Sequence, residues 1–384
     1  MSRTRIALTR RVSLARESAH VPISTARPRP QIDPVTSPAA STQARLLTVN
    51  VELARIATRQ GGVFLRCQAL LCGYSSDDVI RLSNKAWRRV RRGAYAEQHL
   101  VDEANDLELH RLRVHAVMAA TGRDVVVSGV SAAVLHGFDL WQPALARVHL
   151  TSETDASRLQ PDVHHHQAEL QPDDVAIVDG LRVTSIDRTL VDVARTSNFE
   201  QGVVAADSAL RLLERPCTHL RPLIDRYGDW PGGRRLGELF NFADGRADNV
   251  AESRTRVLLH TALLPPMTPQ VFIYDERFML LGIADLVAIG RGTIVEFDGR
   301  AKYGIGGQDV RTQLIAEKMR GDRLGDLGYE LARLMWEDLA NKQAVGRVQA
   351  ALDRAARKPS PHGYYRLSAR QHDRLEPVGE FLRP

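Results

Sequence analysis

Residues 283–302, IADLVAIGRGTIVEFDGRAK, decide how the C-terminal part of this chain is read. They form two adjacent strands by pattern, with Asp285 on the first and Glu296 and Asp298 on the second. Side chains alternate along a strand, so Glu296 and Asp298 point one way and Phe297 the other. Ile294, Val295 and Phe297 make the second strand too apolar for an exposed edge. Burying carboxylates there costs several kcal/mol unless a cation or a hydrogen-bond donor compensates. Three acids at a pair of strand ends, with Lys302 just beyond, suit a Mg²⁺-dependent site for phosphodiester cleavage. Hard oxygen ligands would hold the metal, and a Lys would steady charge developing on phosphate. The same spacing also suits a structural cluster whose acids are capped by backbone N–H groups or a partner Arg.

At 384 residues the chain exceeds one ordinary core, so two to three domains are expected. Apolar content of 43% and charged content of 26% are those of an ordinary globular protein. No apolar run reaches the roughly 18 residues of a membrane span, so no membrane partner is expected. Cys67, Cys72 and Cys217 match neither a disulfide framework nor a zinc pattern, which suits a reducing, cytoplasmic setting. The net charge of +6 sits in residues 1–46, where eight Arg face Glu17 and Asp33, leaving the remainder neutral. That Pro-, Ser- and Arg-rich segment reads as a disordered tail. Its acid-poor make-up also suits a transit peptide, or a start codon set too far upstream.

Residues 47–100 read as helix, short extended piece, helix, turn, helix and hairpin. Gly61-Gly62 stops the helix over 49–59, and a second helix spans 65–72. Ser75 or Ser76 starts a third over roughly 76–86, with Asp77 and Asp78 in its first turn, where the helix dipole favours them. Residues 88–96 then give strand, turn and strand. This order predicts a winged helix-turn-helix on double-stranded DNA. Arg81 and Lys85 would face the major groove, with Arg88, Arg89, Arg91 and Arg92 on phosphate or minor groove. The plainer alternative is a solvated basic face on a small helical domain.

Residues 101–240 read as a middle α+β domain without an evident catalytic grouping. His164-His165-His166 alternates faces on a strand, so at most two of that run can share a metal, and a structural or exposed role fits as well. Arg188 and Asp192 lie four apart on one long predicted helix and should pair. Residues 241–357 give helix, three strands, helix, strand and helix, with Glu252 on the first turns of the opening helix. Residues 358–384 read as a polar tail. The fold class expected is multidomain α+β with an α/β C-terminal domain.

Two resemblances sharpen these expectations. ATRQGGVFLRCQALLCGYSSDDVIRLSNKAWRRVRRGAYA resembles the N-terminal winged helix of AbiEi-type antitoxins, from type IV toxin–antitoxin systems. VVVSGVSAAVLHGF with LRVTSIDRTLVDVAR is similar to the middle domain that accompanies it in actinobacterial relatives. The resemblance implies operator binding and repression of the protein's own operon. The C-terminal third resembles the PD-(D/E)XK nuclease fold, a restriction-endonuclease-like architecture, in its very-short-patch-repair-like branch. It does so through Glu252, Asp285, Glu296-Phe297-Asp298-Gly299 and EKMRGDRLGDLGYELAR. The resemblance implies Asp285 and Glu296 on Mg²⁺, with the Phe297 carbonyl as a third oxygen. Glu252 would orient a metal-bound water, and Lys302 would contact the scissile phosphate. The chain departs from the motif at Asp298, where a Lys is usual, so Lys302 or Lys318 would have to supply that cation.

Three functions follow as expectations. One is a DNA-binding transcriptional regulator carrying a nuclease-fold domain. Another is a Mg²⁺-dependent DNA endonuclease targeted by the winged helix. The third is an antitoxin acting mainly by protein contact with a cognate toxin.

Overall fold

Asn50 caps the first helix, its Oδ1 accepting the Glu52 N–H at 2.8 Å. This computed structural model describes residues 50–121, 125–154, 157–298, 310–367 and 376–378, with backbone alone over 310–317. The predicted tail 1–46 and Lys302 lie outside the described residues.

The first unit runs α1 (Val51–Arg59), β1 (Val63–Leu65), α2 (Arg66–Leu71), α3 (Ser76–Leu82), β2 (Trp87–Arg91) and β3 (Ala94–Glu97). Its strands form an antiparallel sheet in the order β1-β3-β2. Ser75 starts α3 with a reciprocal box, Ser75 Oγ accepting the Asp78 N–H and Asp78 accepting the Ser75 N–H, both at 3.0 Å. Trp87 fills the core, edge-on to Phe64 and Tyr74 at 4.8 and 5.1 Å. Those rings share one apolar cluster with Leu53, Ala69, Val79 and Leu82.

Two helices follow, α4 (Gln98–Asp102) and α5 (Asp106–Ala120). The α1–β1 turn lies against α5. Gly61 has φ +66°, and a Cβ there would sit 2.5 Å from the His115 ring. Gly61→Ala should therefore lower unfolding free energy by about 2–4 kcal/mol, combining left-handed strain with a clash. Urea titration of the two proteins measures this, and a change inside experimental error would mean the turn repacks freely.

The middle sheet comes from β4 (Val126–Val127), α6 (Gly129–His136), β5 (Val148–Ser152), β6 (Arg158–Leu159), β7 (Val163–Gln167), β8 (Val175–Val178) and β9 (Leu181–Thr184). The strand order is β6-β7-β5-β4-β9-β8. Val114 and Val117 of α5 and Ala132 and Leu135 of α6 cover Val127, Leu150, Val163 and Val183. A helical layer follows, α7 (Ile186–Thr196), α8 (Phe199–Leu213), α9 (Arg221–Tyr227) and α10 (Leu236–Phe242). The single long helix expected here is two. Asn198 leaves the helical path and caps α8, its Oδ1 accepting the Gln201 N–H at 2.9 Å. Arg188 and Asp192 do pair, at 3.2 Å.

The last sheet is built by α11 (Val250–Thr261), β10 (Thr268–Tyr274), β11 (Leu280–Ala288), β12 (Thr293–Phe297), α12 (Val310–Asp326), β13 (Glu330–Leu334), α13 (Trp336–Ala340), α14 (Gln343–Ala355), β14 (Tyr364–Leu367) and β15 (Glu376–Pro377). The order is β13-β12-β11-β10-β14-β15, with only β12 and β13 parallel among these neighbours. Leu259, Leu339 and Val348 cover one face over Leu286, Val295 and Leu334. Leu324 and Leu327 cover the other over Val271, Ile273, Val287 and Ile294. Alternation along each strand is what lets one sheet feed two cores.

Residues 358–384, read as a polar tail, contribute β14 and β15 to this sheet. The Tyr-Arg segment after Pro359 and Pro361 carries too little apolar pattern to announce β14. Among the described residues, no helix is long and apolar enough to cross a membrane. The architecture is thus mixed α and β, with three separate sheets among the described residues.

Candidate functional site

Glu252 and Asp285 come together where α11 begins beside β11. Asn249 caps α11 by accepting the Ala251 and Glu252 N–H groups at 2.9 and 3.1 Å. Its Nδ2 turns to Glu252 Oε1 at 2.7 Å, while the Asp248 N–H donates to Oε2 at 2.9 Å. Gln270 Nε2 donates to both oxygens at 3.1 and 3.0 Å. Despite these donors, burial pushes the Glu252 carboxyl up to about 7, helped by the charges of Asp285 and Asp248. Asp285 Oδ2 accepts the Phe297 N–H at 2.8 Å.

Gln270 falls opposite Asp285, between the pairs Pro269↔Leu286 and Val271↔Ala284, and its φ is +54°. A non-glycine residue held left-handed inside a strand is strained, and such strain concentrates where a site fixes a side chain. Here the donor it aims is the amide that grips Glu252.

Glu296 sits at the end of β12 and is buried. Arg320 of α12 contacts its Oε1 at 2.5 Å, and Arg333 of β13 lies 3.6 Å from Oε2. Arg320 also donates to the Ile283 carbonyl at 3.3 Å. Asp298 lies just past the strand rather than on it, its N–H donating to the Leu334 carbonyl at 2.8 Å.

This donor set does not fit Mg²⁺ as arranged. Both Glu296 oxygens face guanidinium groups, and a hard dication would have to displace Arg320 to reach them. Among the described residues, the one group of three or more His, Cys, Asp or Glu with ligand atoms within 4.8 Å of one another is His149, His164 and His166. Asp285 thus has a backbone N–H and Glu296 two Arg beside it among the described residues. Sequence reasoning missed Arg320, Arg333 and Gln270. Only the several Arg residues of α12 offered a signal, and without a register neither one of them nor the single Arg of β13 stood out.

The six basic residues of the first unit divide into two groups. Arg81 pairs with Asp78 at 2.6 Å, Arg88 with Asp102 at 3.0 Å and Arg91 with Asp162 at 2.8 Å. Lys85, Arg89 and Arg92 are exposed, with no ion-pair partner among the described residues. A register shift between Arg89 and Arg91 accommodates Val90, so the strand does not alternate evenly.

No family model matches the chain. Two uncharacterized proteins of Mycobacterium tuberculosis, MT2308 of strain CDC 1551 and Rv2248 of strain ATCC 25618, are each 25% identical over 285 residues. That alignment covers 72% of this chain and 96% of theirs. Among solved structures, the RV2827C protein of Mycobacterium tuberculosis aligns with a TM-score of 0.27 and 17% identity. The alignment spans 49% of this chain and 80% of that one, a likeness too loose to carry an argument.

Proposed function

We propose that this chain is a cytoplasmic DNA-binding regulator, similar to AbiEi-type antitoxins, whose first unit is a winged helix-turn-helix. One observation carries the reading: Lys85, Arg89 and Arg92 stand exposed at the end of α3 and on the β2–β3 hairpin, free of acidic partners among the described residues. In a helix–strand–helix–helix–hairpin order, those are the positions that meet a duplex. Arg81, Arg88 and Arg91 serve the fold through their ion pairs and so contribute less to phosphate.

Fluorescence anisotropy with a labelled duplex over a salt series tests the proposal. Each phosphate-contacting charge adds about 0.9 to the slope of log affinity against log salt. Lys85→Ala/Arg89→Ala/Arg92→Ala should therefore flatten that slope by about 2–3. A triple variant with the wild-type slope would move the DNA contacts elsewhere, or remove them altogether.

An endonuclease is the secondary reading, favoured by the two close carboxylates Glu252 and Asp285 beside a strained residue. We derive no metal-dependent step for it, because Glu296 is held by arginines. Plasmid incubated with the wild-type protein and Mg²⁺ or Mn²⁺ is expected to stay intact. Cutting that disappears in Asp285→Ala would reverse the order of the two readings.

A further inference from the structure

We propose that His149, His164 and His166 form a site for one divalent transition-metal ion of the zinc class, with its fourth ligand position open to water. Strands β5 and β7 are parallel neighbours in the register His149↔His164 and Thr151↔His166. His164 and His166 are two apart and share a face, and the register sets His149 on the adjoining strand beside them. The ring centroids lie 5.3 Å (His149–His164), 5.1 Å (His149–His166) and 3.9 Å (His164–His166) apart. One nitrogen from each ring lies within 4.8 Å of the other two.

The spacing suits that ion. Imidazole nitrogens bind zinc at about 2.0–2.1 Å, so two of them in a tetrahedral shell lie about 3.3 Å apart. His166 Nε2 and His149 Nδ1 are 3.0 Å apart, and a few tenths of an ångström of opening would admit a metal between them. The site supplies three imidazoles and no carboxylate, which selects zinc, copper or nickel over Mg²⁺ or Ca²⁺. All three histidines are half-buried rather than sealed, leaving an entry path and room for water.

The surroundings hold the cluster in place. The His149 N–H donates to Ser131 Oγ at 2.9 Å, and its carbonyl accepts the Ser128 N–H at 3.0 Å. Its ring lies over Gly129, where a Cβ would come within 3.4 Å of Nδ1. Burial disfavours the protonated form of all three rings. The neighbouring cations oppose a metal. Arg147 faces His149 and His164, and Arg195 faces His166. They are tied off, Arg147 to the Gln160 carbonyl at 3.1 Å and Arg195 to Asp192 at 3.2 Å.

The test uses the full chain without an affinity tag, stripped with EDTA and titrated with Co²⁺ and then Zn²⁺. One equivalent of Co²⁺ with a visible absorption band, displaced by one of Zn²⁺, is expected. His164→Ala and His166→Ala should each weaken Zn²⁺ binding more than about 100-fold, beyond the loss of an outer-shell partner. His99→Ala, an exposed histidine elsewhere, should leave it unchanged. Far-UV circular dichroism establishes that each variant folds. No uptake at micromolar metal, or uptake equal in wild type and His164→Ala, would overturn the site.

Discussion

Arg188→Ala is expected to lower the unfolding free energy by about 3–5 kcal/mol, the cost of stranding buried partners of a removed charge. Arg188 is 2% exposed. Its Nη1 donates to Asp174 Oδ2 at 3.1 Å and to the Glu169 carbonyl at 3.2 Å, and its Nε to Asp192 Oδ2 at 3.2 Å. The guanidinium carbon lies 4.7 Å from the centre of the Trp230 ring. Truncation leaves Asp174 to Arg226 and Tyr227, at 3.1 and 2.9 Å, and Asp192 to Arg195. The Asp192 carboxyl is already raised by burial with Arg188 in place, so losing that charge strands it further. Arg188→Lys keeps the charge but loses the fork, and should fall between. Urea denaturation followed by far-UV circular dichroism measures all three proteins. A loss under about 1 kcal/mol for the Ala variant would mean the two acids find new partners or protons cheaply.

The second large effect is a pH dependence. The Glu252 carboxyl rises from its ordinary 4.5 to about 7 in the folded chain, chiefly through burial. Between those values the folded chain holds a proton that the unfolded chain has released. Stability from this group is therefore full below about 4.5 and declines as pH rises toward 7, by up to about 3 kcal/mol. Glu252→Gln cannot titrate, so subtracting its stability curve from the wild-type curve isolates the slope. The variant should also carry a constant cost of about 1–3 kcal/mol, since its amide meets donors from Asp248, Asn249 and Gln270. Parallel curves for the two proteins would mean Glu252 takes up its proton alike in the folded and unfolded chains, with no upward shift in the fold.

The hairpin and strand over 268–297 were legible because a sheet buried on both faces leaves short, near-continuous apolar runs broken by turn residues. The start of α3 was legible because Ser75 and Asp78 are local partners three residues apart. Neither reading needed a distant residue. What stayed hidden depended on register. His149 belongs with His164 and His166 only because β5 lies beside β7, and those strands are separated by β6 in sequence. Arg320 and Arg333 meet Glu296 from a helix and a strand that no spacing rule ties to it. The left-handed Gln270 gave no local sign, since its side chain is aimed by contact with Glu252 and not by turn chemistry. The acids stood out in the sequence, and the arginine partners of Glu296 did not.

Asp207 of α8 is fully buried and accepts the Asp244 N–H at 2.6 Å, Ser253 Oγ–H at 2.7 Å and Arg256 Nη1 at 2.9 Å. Val257 of α11 packs into the same apolar cluster as Leu210 and Phe240. A boundary drawn near residue 241 therefore runs through a rivet, not a hinge. A fragment beginning there would carry Arg256 without its acid, and the fragment ending there would carry a stranded carboxylate. Whatever the C-terminal sheet does, it is delivered as one piece with the helices before it, so dissection by limited proteolysis should release neither half alone.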